Sequence, residues 1–161
     1  MYSLAHLHLM LNHLPIIVTV LGLLLLVIAM VGQRDALTRV AFAFFVGGGL
    51  AALPTYFTGE PAEELVENLP GVTEAIIERH EDAALKAAII VGILAAFALF
   101  TLWRYRRSVT LPAWAVRIAL VAALVGSGAM AWTGLLGGEV RHTEIRSDFV
   151  PPAREGGHET S

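Results

Sequence analysis

Six histidines are the residues of this chain best suited to chemistry: His6, His8, His13, His80, His142 and His158. An imidazole can bind iron, copper or zinc through a ring nitrogen, and it exchanges a proton near neutral pH. Carboxylates accompany them. Glu81 and Asp82 follow His80, Glu139 stands three residues before His142, and Glu60 sits just past an apolar stretch that ends near Phe57. The Glu139-x-x-His142 spacing is the one used by di-iron four-helix bundles, which carry two copies where this chain has one. The absence of cysteine excludes disulfides, iron–sulfur clusters, thiolate zinc sites and covalently attached haem. A classical hydrolase is disfavoured as well. There is no G-x-S-x-G, and His80-Glu81-Asp82-Ala83-Ala84 opens like a zinc-protease motif but lacks its second histidine.

The elements that must position these residues are written in the composition. Of 161 residues, 56% are hydrophobic and 16% charged, with a mean hydropathy of +0.67. An ordinary soluble domain has about 45–50% apolar and about 25% charged residues, so the surplus apolar surface is expected to face lipid. Intrinsic disorder is excluded by that hydrophobicity, and a net charge of −3 offers no footprint for nucleic acid. Four stretches reach the roughly 20 apolar residues of a transmembrane helix. They run from Leu4 or Leu14 to Val31, from Leu37 or Val40 to Phe57, from Ala83 to Trp103, and from Ala113 to Leu136. No basic segment precedes the first stretch, so it is read as a span rather than a cleaved signal.

The expected fold is all-α: an integral membrane four-helix up-down-up-down bundle with an outer-side helical loop between spans 2 and 3. In that loop, Thr58-Gly59-Glu60-Pro61 ends a span and starts a helical turn, Ala62 to Glu67 forms a short surface helix, and Pro70-Gly71 forms a turn. Thr73 then caps the helix that becomes the third span. One bundle (1–147) is expected, followed by a polar, mobile tail (148–161).

Orientation is read from Lys and Arg. Two short loops hold six of the eleven cations, namely Arg34, Arg39, Arg104, Arg106, Arg107 and Arg117, with Asp35 as their one acid. The positive-inside rule places these loops in the cytoplasm. Both termini and the 58–80 loop then face outward, to the periplasm of a bacterium. All six histidines fall on that outer side. His13 opens the first span, His80 precedes the third and His142 follows the fourth, so the topology can bring three imidazoles to one depth. His6 and His13, seven apart, share a helical face, whereas His8 and His13 lie about 140° apart. The plainer reading of each histidine is an interfacial polar residue. Glu63, Glu64, Glu67, Glu74 and Glu78 read as a solvated acidic face, and Gly134-x-x-x-Gly138 as a helix-packing motif or as room for a porphyrin.

These residues resemble a known pattern. His8-x-x-x-x-His13-x-Pro15-Ile16, Thr58-Gly59-Glu60, His80 and Gly137-Gly138-Glu139-Val140-Arg141-His142 are similar to a bacterial four-helix membrane domain of unknown function (class 2231), over about residues 4 to 146. Leu9 stands where that pattern has proline, which sets His8 apart from the ligand set, and Leu14 stands where phenylalanine is common. The resemblance implies a four-helix membrane fold, associated with redox proteins and akin to small membrane b-type cytochromes.

Three functions follow. The first is a b-type haem bound by two of His13, His80 and His142, with Arg79 or Arg141 pairing its propionates. It would serve electron transfer with a quinone or a periplasmic carrier at the inner (cytoplasmic) membrane. The second is a non-haem iron, copper or zinc site built from His13, His80, His142, Glu60, Glu81 and Glu139. The third is an accessory subunit of a larger respiratory complex, with its polar cluster as an interhelical clasp. An electron carrier or metal-binding subunit fits better than a stand-alone enzyme, and the lipid bilayer is the one partner common to all three.

Overall fold

The computed structural model describes residues 3–147 and Phe149; His158 and the rest of the expected tail lie outside the described residues. The described residues form helices and turns, with no strand among them. Ser3 starts α1 (Leu4–Leu11), its hydroxyl accepting the His6 N–H at 3.3 Å. α2 (Leu14–Gly32) restarts the chain with Pro15 in its first turn, where a missing N–H is tolerated. Pro15 cannot donate to the carbonyl of Leu11, which lies 3.3 Å from the Thr55 hydroxyl and shares its hydrogen with Ala51 O. The interruption at Asn12 and His13 places His6 in α1 and His13 at the N-cap of α2.

Gln33 adopts a left-handed conformation (φ 49°) that ends α2, and α3 (Asp35–Phe57) follows with Asp35 in its first turn. The loop helix differs from expectation. α4 (Gly59–Glu63) begins before Pro61 and ends before Glu67, because proline is tolerated throughout the first turn and does not mark its first residue. Turns then lead through Gly71, whose φ of +80° suits glycine, to α5 (Glu74–Arg104). Thr73 occupies the N-cap with extended backbone, but its hydroxyl makes no capping bond, contrary to the sequence reading. α6 (Ala113–Arg141) runs five residues past Leu136, and Thr143–Ile145 add a 3-10 turn.

Four helices are long and apolar enough to cross a membrane: α1 with α2, then α3, α5 and α6. At 1.5 Å per residue the 31-residue α5 is about 46 Å long, well beyond a hydrocarbon core of about 30 Å. Its surplus is the charged segment Glu74 to Asp82. The helices pack in chain order, and α6 closes the ring on α2. Glycines let neighbouring helices approach closely: Thr19 meets Gly48, Gly49 meets Ala95, and Val91 meets Gly126. The end bearing Arg34, Arg39 and Arg104 is called the arginine end, and the other the histidine end.

The two halves of the interior are filled differently. Toward the arginine end, Leu26, Phe42, Phe45 and Leu94 pack with Leu111 and four alanines into a buried core. Toward the histidine end the buried cluster is only Ala52, Ala87, Val91 and Met130. Small side chains on converging helices leave space, and that is where the candidate site lies.

Candidate functional site

A cavity of about 1140 Å³ opens between the helices at the histidine end. That is at or above the upper end of the roughly 300–1,000 Å³ usual for small-molecule sites. Its inner wall is apolar and small, with Ala52, Ala84, Ala87, Ala88, Gly134 and Gly137 among the lining residues. Its outer wall comes from α1, α4 and the turns after it, through Leu9, Leu65, Val66 and Leu69.

Two half-buried imidazoles line this cavity and are held alike. His8 Nδ1 lies 3.0 Å from the carbonyl of Thr55, on α3. His80 Nδ1 lies 3.2 Å from the carbonyl of Thr133, on α6. A carbonyl can only accept, so each Nδ1 carries the proton and each Nε2 keeps its lone pair. Both rings line the same cavity. Bonding Nδ1–H to a backbone carbonyl is the outer-shell arrangement that fixes the tautomer of metal-ligating histidines.

The supports repeat as well. The Thr55 hydroxyl donates back to Ala51 O at 2.9 Å, and the Thr133 hydroxyl to Ala129 O at 3.0 Å. Four residues after each threonine stands a glycine against the ring. A Cβ on Gly137 would lie 2.9 Å from His80 Cε1, and one on Gly59 would lie 3.8 Å from His8 Cε1. Only glycine admits the His80 ring at this distance. His8 has one further neighbour, the buried Thr58, whose Oγ1 is 3.3 Å from its Nδ1.

The other residues singled out in the sequence are distributed around this pair. His13 is exposed at the cavity rim, with Nδ1 2.5 Å from Asn12 Oδ1. His142 is also exposed at the rim, and its Nδ1 meets Glu144 at 2.9 Å instead of turning to Glu139. Glu144's own backbone N–H, then the His142 ring, holds that carboxyl below its ordinary value. Arg141, Glu60 and Glu81 line the cavity. Arg79 and Glu139 do not; they lie 3.9 Å apart as a loose ion pair. Among the described residues no three His, Asp or Glu side chains gather as a metal-binding group, so His13, His80, His142 and the three glutamates do not form one centre.

Leu9 in place of a proline weighs against His8 in the sequence, yet α1 packs on α3 and α4 and brings the ring to Thr55. The signal that finds it is Thr55 with Gly59, matched by Thr133 with Gly137.

One carboxyl pair completes the wall. Glu63 on α4 hydrogen-bonds Glu81 on α5, and that bond, partial desolvation and the charges of Glu81 and Glu67 push Glu63 up to about 7. At the far end of the loop, Arg146 donates to Glu139 O at 2.8 Å, Val140 O at 3.3 Å and Gly71 O at 2.5 Å, tying the turn at Gly71 to the end of α6.

Residues 5–144 match the family model described as predicted membrane protein (DUF2231), and the chain belongs to that family. No curated protein and no solved structure matches it.

Proposed function

We propose that this member of the family is a membrane electron carrier whose cavity takes a b-type haem, with His8 and His80 as its axial ligands. The observation that carries this reading is the matched pair: two imidazoles from the first and third spans, each with Nδ1 spent on a carbonyl and Nε2 free, on the wall of one cavity. The donor set suits iron between two neutral imidazoles. The apolar, glycine- and alanine-rich inner wall suits a flat hydrophobic macrocycle, and the missing Cβ at Gly137 makes room beside the ring of its ligand.

A haem held by His8 and His80 would supply reversible one-electron transfer. The protein's part is to hold the imidazoles in a fixed tautomer, to shield the site from water with α4 and Leu65, Val66 and Leu69, and to keep it near one membrane surface. The arginine loops then lie in the cytoplasm and the histidine end faces outward, to the periplasm in a bacterial inner membrane. A quinone, a soluble carrier or a larger respiratory complex on that side would exchange the electron. The mixed nitrogen–oxygen metal site is less well supported, since the described residues bring no three such ligands together.

The test is the visible spectrum of protein purified in mild detergent from haem-replete cells. The purified protein is expected to be coloured, to sharpen its visible bands on reduction, and to release haem b into pyridine. His13→Ala and His142→Ala keep the pigment; His8→Ala and His80→Ala lose most of it. Colourless wild-type protein after haem supplementation overturns the reading.

A further inference from the structure

The other end of the bundle carries a site of a different kind, independent of the histidines. Three of its six arginines are committed to the fold. Arg39, in the second turn of α3, donates to Tyr105 O at 2.8 Å and to Ser108 O, which fixes the turn after α5 against the start of α3. Arg104 lies over the Tyr105 ring at 5.3 Å, and Arg106 over the Trp103 ring at 5.5 Å. The remaining three, Arg34, Arg107 and Arg117, are exposed, and their side chains make no ion pair or hydrogen bond with the described residues. Asp35 is the one acid in these two loops. Trp103 and Trp114, 59% and 50% exposed, stand at the same end and mark the depth at which indole rings meet headgroups.

We infer that this end is a docking surface for anionic phospholipid, with Arg34, Arg107 and Arg117 holding headgroup phosphodiesters. Charge complementarity selects the occupant. The surface is cationic and held in place by Arg39, and a guanidinium fork matches two phosphate oxygens. Zwitterionic lipid offers the same phosphate but brings its own cation into a field already positive. Free phosphate lacks the acyl chains that the exposed Trp103, Trp114 and Ile118 would meet.

The probes are dihexanoyl phosphatidylglycerol, dihexanoyl phosphatidylcholine and inorganic phosphate, titrated onto the detergent-purified full chain. Bound lipid is read by native mass spectrometry, and stability by thermal shift. Wild type is expected to bind the glycerol lipid at least ten-fold more tightly than the choline lipid. Each arginine removed lowers that preference about five-fold, so Arg107→Gln with Arg117→Gln lowers it about 25-fold. Lys86→Gln, at the opposite end, leaves it unchanged and reports that folding is intact. Equal binding of the two lipids by wild type, or a full preference in the double variant, overturns the inference. So does displacement of the lipid by millimolar phosphate, which would make this a site for the free anion.

Discussion

His8 and His80 occupy equivalent places in the two halves of the bundle. Each reaches from the start of its helix to a threonine carbonyl on the end of the next membrane-spanning helix, four residues before a glycine that adjoins the ring. The equivalence is not complete. The glycine at His80 leaves no room for a methyl group, whereas the one at His8 leaves ordinary contact distance.

That difference gives the first prediction. Gly137→Ala places a Cβ 2.9 Å from His80 Cε1, so the ring must move and its bond to Thr133 lengthen. Gly59→Ala meets His8 at 3.8 Å and is accommodated. Cofactor occupancy after purification should fall at least ten-fold for Gly137→Ala and stay near wild type for Gly59→Ala.

The crossing of α3 and α5 depends on Gly49 in the same way. A Cβ there would lie 2.3 Å from Ala95 Cβ and 3.3 Å from Val91 O, so backbones must separate; on Gly92 it would meet nothing within 4 Å. Overpacking of this kind costs about 1–3 kcal/mol. Gly49→Ala should lower the thermal midpoint in detergent by several degrees, and Gly92→Ala should leave it unchanged.

The loop over the cavity should respond to pH through Glu63. Its value in the folded protein, about 7, lies above the ordinary 4.5 because it hydrogen-bonds Glu81. A raised acid binds its proton more tightly folded than unfolded, so the stabilisation from the Glu63–Glu81 bond is undiminished below pH about 4.5 and is lost as pH rises through about 7. Amide exchange in residues 59–67, corrected for the intrinsic pH effect, should be faster at pH 8 than at pH 5. Glu63→Gln should remove most of that difference.

Orientation can be tested directly because the chain has no cysteine of its own. Asn68→Cys in the loop at the histidine end should react with a membrane-impermeant maleimide added outside spheroplasts, and Ser108→Cys at the arginine end only after lysis. The reverse pattern would put the cavity in the cytoplasm.

The spans were legible because lipid-facing helices require long apolar runs, and the expected limits at Phe57, Trp103 and Ala113 fall within one residue of those observed. The expected outer histidines His13, His80 and His142 do all line one cavity, together with His8. Choosing among them was not legible. His13 looked best because apolar residues flank it, but Pro15 breaks the helix there and leaves the ring at the rim. Leu9 in place of proline weighs against His8 in the sequence, yet the bond that holds its ring comes from Thr55, forty-seven positions away. Arg79 and Arg141 could not be ranked either, because which of them faces the cavity depends on how α5 and α6 are rotated against each other.

The pairing of His8 with His80 is tested most directly by the spin state of the iron in the reconstituted protein, followed by electron paramagnetic resonance and visible absorption. Wild type should give a low-spin, six-coordinate signal, and His8→Ala and His80→Ala should each convert the iron they retain to a high-spin, five-coordinate form that exogenous imidazole returns to low spin. A low-spin signal that survives in either variant without added imidazole, or one abolished by His13→Ala instead, would contradict the account.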